Sequence, residues 1–264
     1  MTHAHALSHT RRSAGRRPEF TLHNGGKAVA GARRNHLLAC LPEPVWQRWK
    51  PLLEAVDLPL GQVLCEPGER LTHVLFPATA IVSLMYLTEN GSTAEIAVIG
   101  DEGMVGTWLT MGGDCTPSRH VVCSAGRGFR LSTSVLLEEF NRSTAVMHLV
   151  LRYTQALLTQ ISQMAVCNRH HSLEERLCQW LLLRLDRLES SHITVTQELI
   201  ASMLGVRREG VTQAAGHLQK AGLITYHRGH IEVLDRKGLE ARSCECYRVV
   251  KNEYDRLLPA QTAT

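Results

Sequence analysis

Three side chains that can hydrogen-bond to the edges of DNA bases lie close together in the chain, at Arg208, Glu209 and Gln213. An arginine fork matches the O6 and N7 atoms of guanine, a glutamate accepts from the N4 amine of cytosine, and a glutamine can pair with adenine. The apolar residues around them recur at helical spacing, namely Val211, Ala214, Ala215 and Leu218. We therefore expect a helix over residues 207–220 that buries one side and turns the base-reading side chains outward.

A second, shorter helix is predicted immediately before this one. Its apolar positions are Leu199, Ile200, Met203 and Leu204. Thr196 is placed to cap its first turn, and Gly205 stands where a helix ends in a left-handed residue. Residues 194–218 therefore predict a helix-turn-helix.

Residues 222–234 alternate apolar and polar side chains on both sides of a glycine-containing tip. This pattern is typical of a β-hairpin, which would form a wing beside the second helix. Such a wing would bring His227, Arg228 and His230 near the sugar-phosphate backbone, where cations position a protein without reading base sequence. The alternative is an ordinary surface hairpin.

Two segments of this region, TQELIASMLGVRREGVTQ at 196–213 and LQKAGLI at 218–224, resemble the winged helix of the Crp/Fnr transcription regulators. The resemblance implies that Arg208 and Glu209 occupy the first two base-reading positions. It also implies that Gln213 replaces a second arginine and that Gly210 replaces a threonine that contacts phosphate. Together with the wing, it implies a set of contacts to the DNA backbone from Thr196, Gln197, Arg207, Thr212, His227 and Arg228.

The first half of the chain also resembles that family. Gly61-Gln-Val-Leu64, Pro67-Gly-Glu69 and Val74-Leu-Phe76 resemble the opening of a cyclic-nucleotide-binding domain, and the short strands around them predict a sandwich or jelly roll. The resemblance implies an α+β protein with three parts followed by a short tail at 259–264. These parts are a jelly-roll (double-stranded β-helix) sensor domain over residues 36–142, a dimerisation helix over 143–171 and a winged helix-turn-helix domain over 172–258.

The ligand positions of such a sensor domain do not match. Members that bind a cyclic nucleotide use a Gly-Glu pair for the ribose and an Arg-Ser or Arg-Thr pair for the phosphate. Here Thr107 stands in place of the glutamate, and Thr116 and Pro117 stand at the Arg-Ser positions, although a small gap would bring Arg119 closer. Because a buried phosphate needs a cation or several backbone donors, we expect no binding of cyclic AMP and leave the effector unassigned. An iron–sulfur cluster is not expected either, since only Cys40 precedes the roll.

Residues 144–171 predict one long helix. Side chains at alternating spacings of three and four would form a coiled-coil seam, namely Val150, Tyr153, Leu157, Gln160, Met164 and Cys167. We expect a homodimer through this seam, because a lone helix between two domains needs another surface to cover it. The alternative is a helix packed on its own domain, because further apolar residues broaden its face. The expected partners are double-stranded DNA, a second copy of the chain and, by the resemblance, RNA polymerase.

The composition fits a globular protein, with 264 residues of which 44% are hydrophobic. No stretch approaches the roughly 20 apolar residues that a membrane span needs, and the N-terminus lacks the apolar core of a signal peptide. We therefore expect a cytoplasmic protein with no membrane partner. Residues 1–35 hold seven Lys or Arg against one Glu with almost no apolar periodicity, which predicts a disordered basic tail.

The eight cysteines are scattered along the chain, which favours reduced thiols over a disulfide framework. Cys244 and Cys246 are the one close pair, in a stretch over residues 238–258 whose pattern predicts a helix. Residues two apart on a helix point about 200° away from each other, so we expect structural cysteines and no metal there. A metal or redox function of the pair is the alternative.

Taken together, the residues favour a sequence-specific DNA-binding transcription regulator that acts as a homodimer on a pseudo-palindromic site. The main alternative is a small-molecule or redox sensor whose principal output is not sequence-specific DNA binding. An enzyme is not expected, since the sequence contains no HExxH motif, no phosphate-binding loop and no recognisable nucleophile–base pair.

Overall fold

The computed structural model describes residues 20–23, 29 and 31–259. Strands in the N-terminal half form two four-stranded antiparallel sheets, with the orders β1-β2-β8-β4 and β3-β7-β5-β6. The strands are β1 (Leu22–His23), β2 (Glu54–Leu58), β3 (Val63–Cys65), β4 (His73–Pro77), β5 (Ile81–Leu87), β6 (Thr93–Ile99), β7 (Arg119–Ser124) and β8 (Gly126–Ser132). Apolar side chains of both sheets share one core, which confirms the predicted roll.

Helices flank this roll on both sides in sequence: α1 (His36–Ala39), α2 (Glu43–Trp49), α3 (Thr133–Arg142) and α4 (Thr144–His170). The longest is α4, with 27 residues, and the hydroxyl of Ser143 caps its first turn by accepting from the backbone N–H of Val146. Within the described part of the chain, the helices lack the combination of length and apolar character that crossing a bilayer requires.

Part of the predicted basic tail is folded. Arg33 and Arg34 lie in a short 3-10 turn before α1. The guanidinium of Arg33 lies 4.6 Å from the ring centre of Trp46, and Arg34 donates to the carbonyl oxygen of Ala78 in the roll. The prediction of disorder is therefore wrong for these two residues. The sequence pattern did not show their contacts, because the partners lie further along the chain. Residues 1–19, 24–28 and 30 of the predicted tail lie outside the described residues.

The predicted coiled-coil seam of α4 lies against its own chain. Tyr153 donates its hydroxyl to the carbonyl oxygen of Met104, and the amide of Gln160 donates to the carbonyl oxygen of Val98 in β6. All six predicted seam residues are at least nine-tenths buried within one chain: Val150, Tyr153, Leu157, Gln160, Met164 and Cys167. The prediction that they meet a partner is therefore wrong, because the roll and the C-terminal helix already cover this side of α4.

A different face of α4 is exposed and apolar. Leu151 and Leu158 are 45% and 54% exposed, and Ala165 is exposed one further heptad along the helix. Met147 precedes Leu151 by one turn and is half-buried. We refer to Met147, Leu151, Leu158 and Ala165 as the α4 stripe. Residues seven apart share a face of a helix, so the stripe has the spacing of a coiled-coil contact.

The C-terminal part begins with α5 (Leu173–Leu185), whose start is a capping box formed by Ser172 and Glu175. The elements that follow are β9 (His192–Thr194), α6 (Gln197–Leu204), α7 (Arg208–Lys220), β10 (Ile224–His227), β11 (His230–Val233), α8 (Arg236–Arg242) and α9 (Glu245–Leu257). The three strands form one antiparallel sheet in the order β10-β11-β9. Helix α7 packs on both α5 and α6, which gives a helix-turn-helix with a wing.

The predicted helix over residues 238–258 is interrupted. Helix α8 ends at Arg242, and α9 begins at Glu245 with Cys244 as its N-cap residue in extended conformation. Cys244 and Cys246 therefore do not share regular helical geometry, and the predicted 200° separation of their side chains is wrong. The difference arises from the helix boundary between Arg242 and Glu245. This boundary was not predicted from the sequence, because no proline or glycine marks it.

A buried ion pair joins the roll to the C-terminal part. Arg184 of α5 donates to the carboxylate of Glu95 in β6 at 2.6 Å, and both side chains are less than 5% exposed. Ser83 also donates to Glu95. The guanidinium carbon of Arg184 lies 3.5 Å from the ring centre of Trp180, so the charge is held between a carboxylate and an aromatic face. These contacts fix α5, on which α7 packs, against the sheet.

Candidate nucleic-acid interface

The first helix of the helix-turn-helix begins and ends at the residues that the sequence predicts. The hydroxyl oxygen of Thr196 accepts from the backbone N–H of Leu199 at 3.2 Å, which caps α6. Gly205 has φ 64° and ends α6 in the left-handed conformation that a glycine adopts at little cost. Both predictions are confirmed, and together they set the tight turn that positions α7.

Helix α7 is amphipathic in the predicted sense. Val211 and Leu218 are fully buried, whereas Arg208, Glu209 and Gln213 are exposed. Arg207, its N-cap residue, is also exposed. The three side chains proposed to read bases therefore lie on the solvent side of one helix, within the first two turns that approach base edges in a helix-turn-helix.

Gly210 lies on the inner flank of α7, where the helix approaches α5. A Cβ atom at this position would lie 2.8 Å from Cδ2 of Leu173. A threonine here would need that leucine to move, so the position is occupied by a packing glycine. Gly210 therefore contributes to how closely α7 lies on α5.

Several of the predicted backbone contacts line one shallow concave surface next to α7. This surface is lined by Thr196, Gln197, Arg208, Tyr226, Arg228 and Gly229. Thr212 donates its hydroxyl to Oε1 of Gln197 at 2.8 Å, which links α7 to the start of α6. The structure thus brings these residues to one place, although the first and last of them, Thr196 and Gly229, are 33 positions apart in sequence.

The wing is a tight hairpin. His227 pairs with His230 across a two-residue turn in which Arg228 has φ 48° and Gly229 has φ 83°. Positive φ at both central residues is the geometry of a type I′ turn, whose twist matches that of the strands it joins. The exposed side chains of His227 and Arg228 therefore stand at the tip, at the edge of the concave surface.

Tyr226 is a residue of this surface that the sequence did not identify. Its hydroxyl donates to the carbonyl oxygen of Val195 at 2.9 Å, which ties the wing to the segment before α6. Burial raises the pKa of this hydroxyl, and the nearby charge of Arg208 acts in the opposite direction. The tyrosine therefore stays neutral and holds the wing beside α7. Its alternation within β10 was the only sequence signal.

Several side chains at or next to the positions compared with a nucleotide site are buried in the roll. Thr116, Ser118 and His120 are buried and form a hydrogen-bonded chain, with 2.8 Å between the two hydroxyls and 2.9 Å from Ser118 to Nε2 of His120. The imidazole lies edge-on to Trp108, with ring centres 4.9 Å apart. Burial lowers the pKa of His120 to about 4, so the imidazole is neutral at neutral pH.

Arg119, the one cation that a small alignment gap would bring to the phosphate position, points elsewhere. Its guanidinium donates to a carboxylate oxygen of Glu66 at 2.9 Å, and both side chains are more than 40% exposed. Thr107 is buried at the start of a 3-10 turn over Thr107–Met111. The side chains at these positions therefore contact one another or the roll surface.

Comparison with known proteins identifies the class of this fold and of its C-terminal domain. Residues 175–242 match the family of Crp-like helix-turn-helix domains. FixK2 from Bradyrhizobium japonicum superimposes with a TM-score of 0.63 at 16% identity, covering 72% of this chain and 96% of that one. A Crp-family transcriptional regulator from Thermus thermophilus, TTHB099, gives 0.59 at 18% identity, covering 71% and 95%.

A third structure is the c-di-GMP-responsive global regulator CLP of Xanthomonas campestris, with a TM-score of 0.57 at 14% identity, covering 74% of this chain and all of that one. No curated protein sequence matches the chain. At identities this low, the superpositions establish the fold alone. It is the fold of the Crp/Fnr transcription regulators: a roll of the cyclic-nucleotide-binding type, a long helix and a Crp-like helix-turn-helix domain.

Proposed function

We propose that this protein is a sequence-specific, DNA-binding transcription regulator that reads base edges with Arg208, Glu209 and Gln213 of α7. The observation that carries the proposal is the placement of these exposed side chains beside a concave surface that also contains Arg228 and Thr196. A recognition helix in the major groove needs base-reading groups on one face and cations or hydroxyls at its edges for the phosphates. In this account Arg207, Gln197, Thr212 and His227 contact the backbone.

The regulator acts as a homodimer through the α4 stripe. Leu151 and Leu158 are large apolar side chains with about half of their surface in water, and they repeat at heptad spacing on a 27-residue helix. A second copy of the same helix covers such a stripe on both chains at once, because a two-fold contact is self-complementary. Two copies of α7 would then contact half-sites about 34 to 36 Å apart on a pseudo-palindromic site.

The roll does not bind cyclic AMP in this account. A cyclic nucleotide brings a negative charge, and the described positions offer a neutral imidazole at His120 and an arginine already paired with Glu66. Burying a phosphate against these groups would leave its charge uncompensated. The effector, if one is required, therefore has a different chemistry. RNA polymerase is the expected protein partner on the bound promoter, in the cytoplasm.

The test is selection of bound sequences from a random pool of DNA duplexes, with purified protein, one fixed salt concentration and no added ligand. We expect a palindrome with the wild type and none with the Arg208→Ala/Glu209→Ala variant. Arg127→Ala is the matched control, because Arg127 is an exposed arginine on the roll that pairs with Asp57. Selection of no sequence preference by the wild type would contradict the proposal and favour a sensor with another output.

The dimer contact is tested separately by sedimentation of two matched variants. Leu158→Glu places a charge on the α4 stripe, and Leu87→Glu places the same charge at an equally exposed leucine of the β5–β6 hairpin, each 54% exposed. We expect Leu158→Glu to sediment as a monomer and Leu87→Glu as a dimer. A dimer that survives Leu158→Glu would remove the stripe from the interface.

A further inference from the structure

Three cysteines and a histidine from distant parts of the chain converge where α4 ends and α9 begins. The donor atoms of Cys167, His171, Cys244 and Cys246 all lie within 4.8 Å of one another. The sulfur atoms of Cys167 and Cys244 are 3.4 Å apart, and the sulfur of Cys246 lies 3.6 Å from Nδ1 of His171. We refer to these four residues as the thiol cluster.

The local backbone explains how the four side chains meet. Cys167 occupies the last turn of α4, and His171 is the C-cap residue one turn later. Cys244 is the N-cap of α9 and Cys246 lies in its first turn, so the helix start lets both thiols face the end of α4. The three cysteines are buried and His171 is largely covered.

The spacing of the donor atoms fits a tetrahedral metal ion. Bonds of about 2.3 Å to sulfur and 2.0 to 2.1 Å to nitrogen, at tetrahedral angles, place neighbouring donor atoms about 3.5 to 3.8 Å apart. Two of the six donor separations in the cluster, 3.4 and 3.6 Å, are close to that range, and none exceeds 4.8 Å. Three thiolates and one imidazole form a soft donor set that suits Zn²⁺ and is a common set of structural zinc sites.

The surroundings of the cluster supply the outer contacts that a metal site needs. Nε2 of His171 lies 3.3 Å from a carboxylate oxygen of Glu245, which leaves Nδ1 directed at the thiols. A metal-bound histidine characteristically donates its second ring nitrogen to such a carboxylate, which fixes the tautomer and the ring orientation. Glu245 therefore acts as a positioning residue for His171.

Gln179 is the second outer contact. Its side chain is 1% exposed, its Oε1 accepts from the Cys167 thiol at 2.7 Å, and its buried Nε2 has no hydrogen-bond partner among the described residues. If the side-chain amide is rotated by 180°, its NH₂ group faces the sulfur of Cys167 in place of the oxygen. The NH₂ group can then donate a hydrogen bond to that sulfur when it is a thiolate. Metal binding, which deprotonates the thiols, would give that nitrogen an acceptor.

We propose that Cys167, His171, Cys244 and Cys246 bind one Zn²⁺ ion per protomer. Each thiol loses its proton to solvent on binding, and no electron transfer takes place. The ion joins the end of the long helix α4 to the last helix of the C-terminal part, between residues that are 77 positions apart in sequence. It therefore fixes the helix-turn-helix relative to α4, a role that goes beyond the proposed DNA binding.

The first experiment measures the metal in the full-length protein. We expect about one zinc per protomer after purification without chelator. After removal of zinc under reducing conditions, titration with Co²⁺ should give the visible bands of tetrahedral cobalt and a thiolate-to-cobalt charge-transfer band, and Zn²⁺ should displace both. Absence of a tetrahedral cobalt spectrum in protein whose thiols are verified as reduced would overturn the proposal, and this readout needs no variant.

Variants then assign the ligands. Cys244→Ser/Cys246→Ser should lose the metal, whereas Cys178→Ala, which alters a buried cysteine of α5 outside the cluster, should keep it. His171→Cys should retain one metal with shifted cobalt bands, and Glu245→Gln should weaken zinc affinity by about tenfold. Unchanged cobalt spectra in the Cys244→Ser/Cys246→Ser variant would overturn the assignment, as would a Cys167–Cys244 disulfide in metal-free protein isolated without oxygen.

Discussion

Polar side chains are exposed to solvent on helix α7 and buried in the interior of the roll. Arg208 and Glu209 of α7 stand in solvent on the open face of the C-terminal part. In the roll, Thr116, Ser118 and His120 are buried and hydrogen-bond to one another. The two regions therefore differ in what their polar side chains contact, which is solvent on α7 and other side chains in the roll.

A buried polar chain is stable only when its members satisfy one another, and an added anionic ligand would have to replace those contacts. An exposed polar face has no such cost, because water occupies its donors and acceptors until a partner arrives. The two arrangements support the proposals that α7 reads bases and that the roll does not bind a cyclic nucleotide.

The largest effect is expected where the two regions are joined. Arg184→Ala leaves the buried carboxylate of Glu95 without its ion-pair partner, and we expect a loss of about 3 to 5 kcal/mol in the free energy of unfolding. Denaturant unfolding measures it. The exposed pair of Arg127 and Asp57 provides the control, because Arg127→Ala should cost less than about 1 kcal/mol.

A double variant separates the loss of the pair from the loss of packing. Arg184→Met with Glu95→Leu replaces both charges by apolar side chains of similar size, and its stability should return to within about 1 kcal/mol of the wild type. If the double variant is as unstable as Arg184→Ala, the unpaired charge is not the cause.

A smaller effect is expected from protonation inside the roll. Burial lowers the pKa of His120 to about 4 in the folded state, whereas an unfolded histidine has a pKa of about 6.5. The unfolded chain therefore binds more protons between these values, and stability is lost as pH falls from about 6.5 to about 4, by roughly 3 kcal/mol in total. His120→Gln should remove this contribution.

The measurement is the difference in unfolding free energy between wild type and His120→Gln across that pH range. Other histidines contribute equally to both proteins and cancel in the difference. A difference that stays constant with pH would show that His120 is solvated or paired with an acid. It would contradict the claim that the polar side chains of the roll, unlike those of α7, are held away from solvent.

On the recognition helix the expected effects are on binding. Arg208→Ala should weaken binding to the preferred site by about 1 to 3 kcal/mol and relax the preference at one base position, because its guanidinium is assigned to one guanine. Affinities for a panel of single-base-substituted duplexes measure this. An equal loss on every duplex would reassign Arg208 to the phosphate backbone.

The smallest effect is expected at the tip of the wing. Arg228→Ala should weaken all sequences by a similar factor and reduce the slope of log affinity against log salt by about one, because it removes one phosphate contact. Titrations at several salt concentrations measure the slope. A change in base preference would instead place Arg228 at a base edge.

Local signals explain which parts could be predicted from the sequence. Thr196, Gly205 and the Ser172–Glu175 capping box act within one helical turn, so the start of α5 and both ends of α6 follow from neighbouring residues. The inward face of α4 could not be chosen in this way, because apolar residues occur on both sides of the helix. The positions of the roll and of α9 decide which side is covered.

The thiol cluster could not be predicted for a related reason. Its two halves are separated by the whole helix-turn-helix and wing, and only tertiary packing brings them together. The pattern over residues 238–258 also conceals the helix boundary at Cys244, which changes the directions of both thiols. Tyr226 was missed because an aromatic residue in a short strand is ordinary, and its role depends on the carbonyl of Val195.

The most direct test of the central claim is the ratio of affinities for the selected palindrome and for a scrambled duplex of equal length, at one salt concentration. We expect the palindrome to bind about a thousandfold or more tightly, and we expect cyclic AMP and cyclic GMP to leave the ratio unchanged. A ratio near one, with or without these nucleotides, would contradict base reading by α7. A ratio that rises only with a cyclic nucleotide would contradict the proposal that the roll does not bind one.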